Sequence, residues 1–445
     1  MENINNIKFT TKENILTILV VLFFITFFFP IAPVICNIVI GVIFIFSFFF
    51  NSLSEKWSLL KERKAVFFIC AFYLLQVISA FLSVNRDEAF TVLGMRVPLV
   101  LFPIALGTIY IRPALFNRLL FYIANLITLA AIVCLCWAAY QYNITHDASV
   151  LYNDSFSIAI DKQSIYFAMM VTLAIYFYSY LLIKKENTYA NKKWMYVAIL
   201  FLMLTHFMLA SRINIIILYS SILLFAFYYV IRYKKILEGA TLVMGLLIGG
   251  FLLIKFFPKT VNRFKELGYT SYNFQSHAKE SHYNMEVTAD QWNGANIRLA
   301  VWKCAGNLIK AHPVFGVQIG DKQDQLVEEY KKHHFDFGVQ SRRNAHNTYV
   351  DVLVTFGIVG FVLFVLGFII LPFVQSFQNK FVLGCFVITV FAFVMFPETY
   401  LDRSLGNITM GFFLSFVIAA FVPRKGAKEN QGRKEWLSNS KAPDA

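Results

Sequence analysis

What most constrains this chain is a succession of apolar runs, each near the length an α-helix needs to cross about 30 Å of hydrocarbon. They are roughly Asn14–Pro30, Pro33–Phe50, Ala65–Ser83, Ala89–Ile111, Leu119–Gln141, Ser164–Ile183, Trp194–Ala210, Ile213–Ile231, Glu238–Phe257, His346–Leu371, Phe381–Phe396 and Ser404–Phe421. Hydrophobic residues make up 58% of the chain against 15% charged, so a lipid-embedded protein accounts for the composition and a soluble globule does not. The chain reads as an all-α integral membrane protein with about twelve transmembrane helices. The first run is followed by no small-residue cleavage site and is expected to stay as the first span.

Lysine and arginine in short loops are retained in the cytoplasm. With the N-terminus inside, the inner loops and tails collect Lys8, Lys12, Lys56, Lys61, Arg63, Lys64, Arg112, Arg118, Lys184, Lys185, Lys192, Lys193, Arg232, Lys234, Lys235, Lys380 and a basic tail after Val422. The short outer loops hold only Arg86, Lys162, Arg403 and, at a helix mouth, Arg212. Both termini are therefore expected in the cytoplasm. The chain divides into helices 1–9 over residues 1–257, a large helical outer loop over 258–345, helices 10–12 over 346–422 and a cytoplasmic tail over 423–445. The formal charge of +14 follows from this topology, with anionic membrane lipids as its partner, and calls for no nucleic acid.

Five of the six cysteines fall in predicted spans and only Cys304 in the outer loop, which leaves no disulfide framework. His333, His334 and His346 lack a metal-ligand spacing, so no metal site is expected. No phosphate-binding glycine loop occurs, which argues against direct ATP-driven transport. Within the outer loop, Ile297, Val301, Cys304 and Leu308 recur at helical spacing and end at His312-Pro313. Asp321–His334 makes a second amphipathic stretch with Leu326, Val327 and Tyr330, so a small helical cap is expected. Tyr269–Asn296 reads as loop.

Chemistry is expected where the loop re-enters the membrane, at Ala345-His346-Asn347-Thr348-Tyr349-Val350-Asp351. Ionisable groups at such a junction are costly unless something is bound there. A histidine opening a helix sits at the positive end of the helix dipole, which favours the neutral imidazole a base requires; the plainer reading is that His346-Asn347 caps the helix. Asp351 falls one turn below Asn347 and would orient it or a partner helix. Arg212 follows Ser211 at a helix mouth on the same side, and its planar fork suits a phosphate or diphosphate, although an arginine reaching for headgroups looks the same in sequence. Arg96 lies within an apolar run and needs either a bound anion or a buried counter-charge such as Asp161. Arg298 and Trp302, one turn apart, suit a sugar phosphate or simply stack on each other. The His312-Pro313-Val314-Phe315-Gly316-Val317-Gln318-Ile319-Gly320 turn reads as a device for close backbone packing.

The order of these features resembles the O-antigen ligase and polymerase superfamily of bacterial envelope glycan enzymes. The resemblance rests on Ser211-Arg212 opening a helix, Arg298 with Trp302, the Pro313…Gly316…Gly320 turn, Ala345-His346-Asn347-Thr348-Tyr349-Val350 and Phe356-Gly357-Ile358-Val359-Gly360. By motif it covers about Ala210–Phe364, and beyond that only by topology, with a large loop between helices 9 and 10. It implies a metal-independent glycosyltransferase without a cofactor. Such an enzyme moves a glycan from undecaprenyl diphosphate to a sugar hydroxyl on the periplasmic face of the bacterial inner (cytoplasmic) membrane. Carried over by motif, Arg212 and Arg298 would hold the diphosphate and His346 would take the acceptor's proton. Arg96, Trp302, Asn347 and Asp351 would complete the substrate site. The acceptor would be a lipid A core sugar in a ligase, the growing glycan in a polymerase, or a protein hydroxyl in an O-oligosaccharyltransferase; topology favours the ligase. A lipid-linked sugar flippase is the rival from another class, and it would explain Arg96 but not a helix-opening His-Asn beneath a cap. The family's turn often reads Gly-x-Gly-x-Gly, whereas Gln318 holds the middle position here.

Overall fold

The computed structural model describes residues 9–29, 33–183, 192–256, 261, 264–276, 278–280 and 291–420, and among these the chain is helical. The helices in order are α1 (Thr11–Phe28), α2 (Pro33–Ser47), α3 (Leu53–Glu62), α4 (Ala65–Leu82), α5 (Arg86–Met95), α6 (Pro98–Gly107), α7 (Pro113–Thr145), α8 (Asn153–Ser157), α9 (Ser164–Ile183), α10 (Lys192–Met208), α11 (Arg212–Tyr233) and α12 (Ile236–Phe256). The polar segment carries α13 (Asn296–Ala311), α14 (Lys322–Lys332) and α15 (Asp336–Ser341), and after it come α16 (Thr348–Val365), α17 (Leu371–Gln378), α18 (Val382–Val394) and α19 (Ser404–Ala419).

The apolar runs expected from the sequence fall on helices, although Ala89–Ile111 is divided between α5 and α6. Among the described residues, seven helical stretches are long and apolar enough to cross a membrane: Thr11–Phe28, Ala65–Leu82, Arg86–Gly107, Pro113–Thr145, Ser164–Ile183, Arg212–Ile231 and Thr348–Gln378. Shorter apolar helices stand at Val34–Ser47, Ile236–Phe251, Val382–Val394 and Ser404–Ala419. The loop at 184–191, residues 281–290 and the tail from 421 onward lie outside the described residues.

Local chemistry sets several of the boundaries. Thr10 and Glu13 form a capping box, with the Thr10 hydroxyl accepting from the Glu13 amide and the Glu13 carboxylate accepting from the Thr10 amide at 2.8 Å. The run through Arg96 is interrupted: α5 ends at Met95 and α6 restarts at Pro98, because proline has no N–H to continue the ladder and collides with the carbonyl a turn earlier. Alongside α6, Gly411 lets α19 lie against the Pro98 carbonyl, which stands 2.7 Å from where a Cβ would be. Rings of Phe23, Phe102, Phe412 and Phe416 pack between α1, α6 and α19, so phenylalanine builds the bundle's interior as well as its lipid-facing surface.

The polar segment has its own core of Trp292, Ile297, Val301, Leu308, Leu326, Tyr330 and Phe335, and Val354 of α16 belongs to it. Its two amphipathic helices bury the faces read from their spacing. The turn after α13 then locks into a break in α16. Gly357 has φ +60° inside that helix, Gly316 has φ +67° in the turn, and a Cβ on either would stand 2.3–2.4 Å from the other's backbone neighbours, Thr355 and Val314. The amides of Val317 and Gln318 donate to Val354 and Thr355, and those of Ile358 and Val359 donate to Pro313 and Val314. The turn thereby satisfies the groups that the break releases, which an apolar surrounding requires. Gln318 holds φ +76° in this lock.

Candidate active site

His346 does not open α16. The helix begins at Thr348 with Asn347 as its N-cap, its side-chain oxygen accepting from the amides of Tyr349 (2.9 Å) and Val350 (3.1 Å). His346 precedes the cap with φ +41°. A left-handed residue before an extended cap turns the chain sharply at this point. Two contacts hold the turn: the His346 amide donates to the Asn344 side-chain oxygen (3.2 Å), and the Trp302 indole donates to the Ala345 carbonyl (2.8 Å). Trp302 also meets the Phe396 ring edge-on at 5.5 Å, so it works as a support beneath His346.

Glu398 faces the imidazole, with its Oε2 3.8 Å from His346 Nδ1. The sequence reading did not single it out. Its signal was a Pro397-Glu398 pair breaking an apolar stretch between two helices. Thr348 fixes the segment: its hydroxyl donates to the Glu398 carbonyl (2.7 Å) and accepts from the Tyr400 amide (3.0 Å). The same segment holds Arg298, whose Nε donates to the Pro397 carbonyl at 3.2 Å.

Arg298 on α13 and Arg212 at the first turn of α11 converge at Gly294. A Cβ there would lie 3.2 Å from Arg298 Nη1 and 3.3 Å from Arg212 Nη2, and Arg298 also donates to the Gly294 carbonyl. Two guanidiniums brought side by side repel each other and concentrate positive potential, an arrangement that suits a multiply charged anion. Arg212 also sits at a helix N-terminus, where the dipole disfavours a cation.

Arg96 and Asp351 are fully buried and meet in an ion network. Lys322 Nζ lies 2.6 Å from both Asp351 Oδ1 and Asp402 Oδ1. Arg96 Nη2 reaches Asp402 at 3.3 Å and Asp351 at 4.0 Å, while its other nitrogens donate to the Leu401 carbonyl and Gln76. The counter-charge for Arg96 is thus Asp402 with Asp351 rather than Asp161. Burial works against the charge on Lys322, but the two carboxylates outweigh it and hold its pKa above the ordinary lysine value. Burial likewise opposes the charge on Asp402, and Lys322 and Arg96 outweigh it and hold its pKa low. Cys304 lies buried, its thiol pushed up to about 12 by burial, which makes it an unreactive core residue. Among the described residues no group of His, Cys, Asp or Glu side chains is arranged to hold a metal ion.

Residues 196–365 match the family model described as O-antigen ligase. The match takes in Arg212, Arg298, Trp302, His346, Asn347 and Asp351, and leaves Arg96, Glu398 and Asp402 outside. No curated protein matches the chain. The apolar helices are those of a multi-pass membrane protein, and the matched stretch supports glycan transfer of the ligase or polymerase type. Over those residues the chain is similar to the O-antigen ligase family.

Proposed function

We propose that the protein moves a glycan from undecaprenyl diphosphate to a sugar hydroxyl, as an O-antigen ligase with the lipid A core as acceptor. Arg212 and Arg298 bind the diphosphate and stabilise the charge it gains as it leaves. His346 takes the proton of the attacking hydroxyl, so that the new glycosidic bond forms at the anomeric carbon as the bond to the diphosphate breaks. The reading carries twelve spans and a site facing the periplasm across the bacterial inner membrane, in line with the lysine and arginine asymmetry.

One observation supports this most. The Pro397-Glu398 segment touches both halves of the site, its carbonyl holding Arg298 and its carboxylate facing His346. A leaving-group clamp and a base are thereby fixed to one short piece of backbone, as transfer between two bound partners requires.

The test is reconstitution of the full-length protein with lipid-linked glycan and a core oligosaccharide acceptor. Core-attached glycan that disappears with His346→Ala supports ligation. Elongated lipid-linked glycan without core product would make the protein a polymerase, and movement of donor across the bilayer with no new bond would make it a flippase.

A further inference from the structure

Lys322 is the first residue of α14, where the helix dipole disfavours a cation. It is nevertheless buried, and its ammonium lies at 2.6 Å from two carboxylates on two other elements, Asp351 on α16 and Asp402 beside α19. The four charges of Lys322, Arg96, Asp351 and Asp402 sum to zero, so removing any one alone leaves a buried charge uncompensated. Asp402 also reaches the site: its second oxygen accepts from Asn344 Nδ2 at 3.4 Å, and the Asn344 side-chain oxygen accepts from the His346 amide. Asp402 closes the short segment that carries Glu398, and Asp351 lies one turn below the cap that His346 precedes. The adjacent Asp321 seats the same end of α14 on the loop after α4, accepting from the Val84 and Asn85 amides.

The geometry points to Lys322 as a positioning residue: its ammonium locks the polar segment to Asp351 and Asp402 and thereby sets His346 against Glu398 through Asn344. The inference rests on His346 being the base of the proposed transfer. Lys322 itself touches no substrate. It joins three pieces of chain: α14, α16 and the short segment that ends at Asp402.

The experiment uses the full-length protein with two variants. Lys322→Met combined with Asp402→Asn removes one charge of each sign, leaving Arg96 and Asp351 balanced, and Asn344→Ala cuts the link to His346 at a half-buried position. Turnover is measured with lipid-linked glycan donor, thermal unfolding reports folding, and the rate of His346 carbethoxylation by diethyl pyrocarbonate is followed by mass spectrometry. Both variants should stay folded and lose at least about tenfold in kcat. His346 should react severalfold faster while His312 reacts at its original rate, a change that a merely stabilising role would not produce. Should the double variant unfold, Asn344→Ala decides. Unchanged kcat or unchanged His346 reactivity in the folded variants overturns the inference. If wild-type protein transfers no glycan, the functional reading has failed, and the His346 reactivity alone then decides whether Lys322 positions that side chain.

Discussion

His346 Nδ1 lies 3.8 Å from Glu398 Oε2, with the two side chains 23% and 13% exposed. That is beyond a hydrogen bond, yet a shift of about 1 Å closes it. A carboxylate so placed can orient the imidazole and stabilise it once it has taken a proton. His346→Ala should lower turnover by about 10²–10⁴-fold without unfolding the protein. Glu398→Gln should cost less, and the double variant should be no slower than His346→Ala, because the pair acts as a unit. Single-turnover transfer measures all three. Losses that multiply would show Glu398 acting independently of His346.

The arginine pair makes a second prediction. Arg212→Lys keeps a charge but loses the planar fork, so it should lose most transfer, and Arg298→Ala should do the same. Gly294→Ala places a methyl 3.2–3.3 Å from both guanidiniums and should raise the apparent KM for the lipid-linked donor. Near-normal transfer by Arg212→Lys would remove the two-pronged role.

The interlocked glycines can be tested by stability. Gly316→Ala and Gly357→Ala each drive a Cβ into backbone and strain a positive φ, so each should destabilise by about 3 kcal/mol or more. Gln318 already occupies φ +76°. Gln318→Gly relieves about 1 kcal/mol of left-handed strain and adds a similar chain-entropy cost, leaving it near neutral. Thermal unfolding in detergent distinguishes these cases.

Much of this was legible in the residues because its physics is local. Hydrophobic runs of bilayer length marked the helices, and period 3.6 marked the buried faces of α13 and α14. The turn at Pro313–Gly320 was readable as a packing device, but its partner was not, since Gly357 lies in an apolar stretch that reads as continuous helix. The helix start at His346 was displaced by two residues because Asn347 is the better cap, and only backbone geometry shows the left-handed turn before it. Lys322 and Asp402 escaped notice for a different reason: one looks like an ordinary charge on an amphipathic helix and the other like a loop charge, and their meaning comes from a three-element contact that no spacing encodes. Arg96 was visible as an anomaly, and the structure supplied the counter-charge.

The buried ion cluster and the base should separate cleanly with pH. Lys322 has a folded pKa raised above its ordinary 10.5, so its contribution to stability is complete below that value and lost only as pH rises through the higher folded one. Asp402 has a folded pKa lowered from 3.8, so its contribution is complete above that value and lost only as pH falls through the lower folded one. Neither group changes its contribution between about pH 5 and 9, a window that clears both ordinary values. The part of thermal stability owed to these two groups in the wild-type protein should therefore be flat there. Transfer should behave differently, because a base that must accept a proton is silenced once protonated. Wild-type kcat should fall on acidification while the fold holds, and the residual rate of His346→Gln should show no such acid limb. A limb that persists in His346→Gln would assign proton transfer to another group, and Glu398, facing the vacated position, is where to look for it.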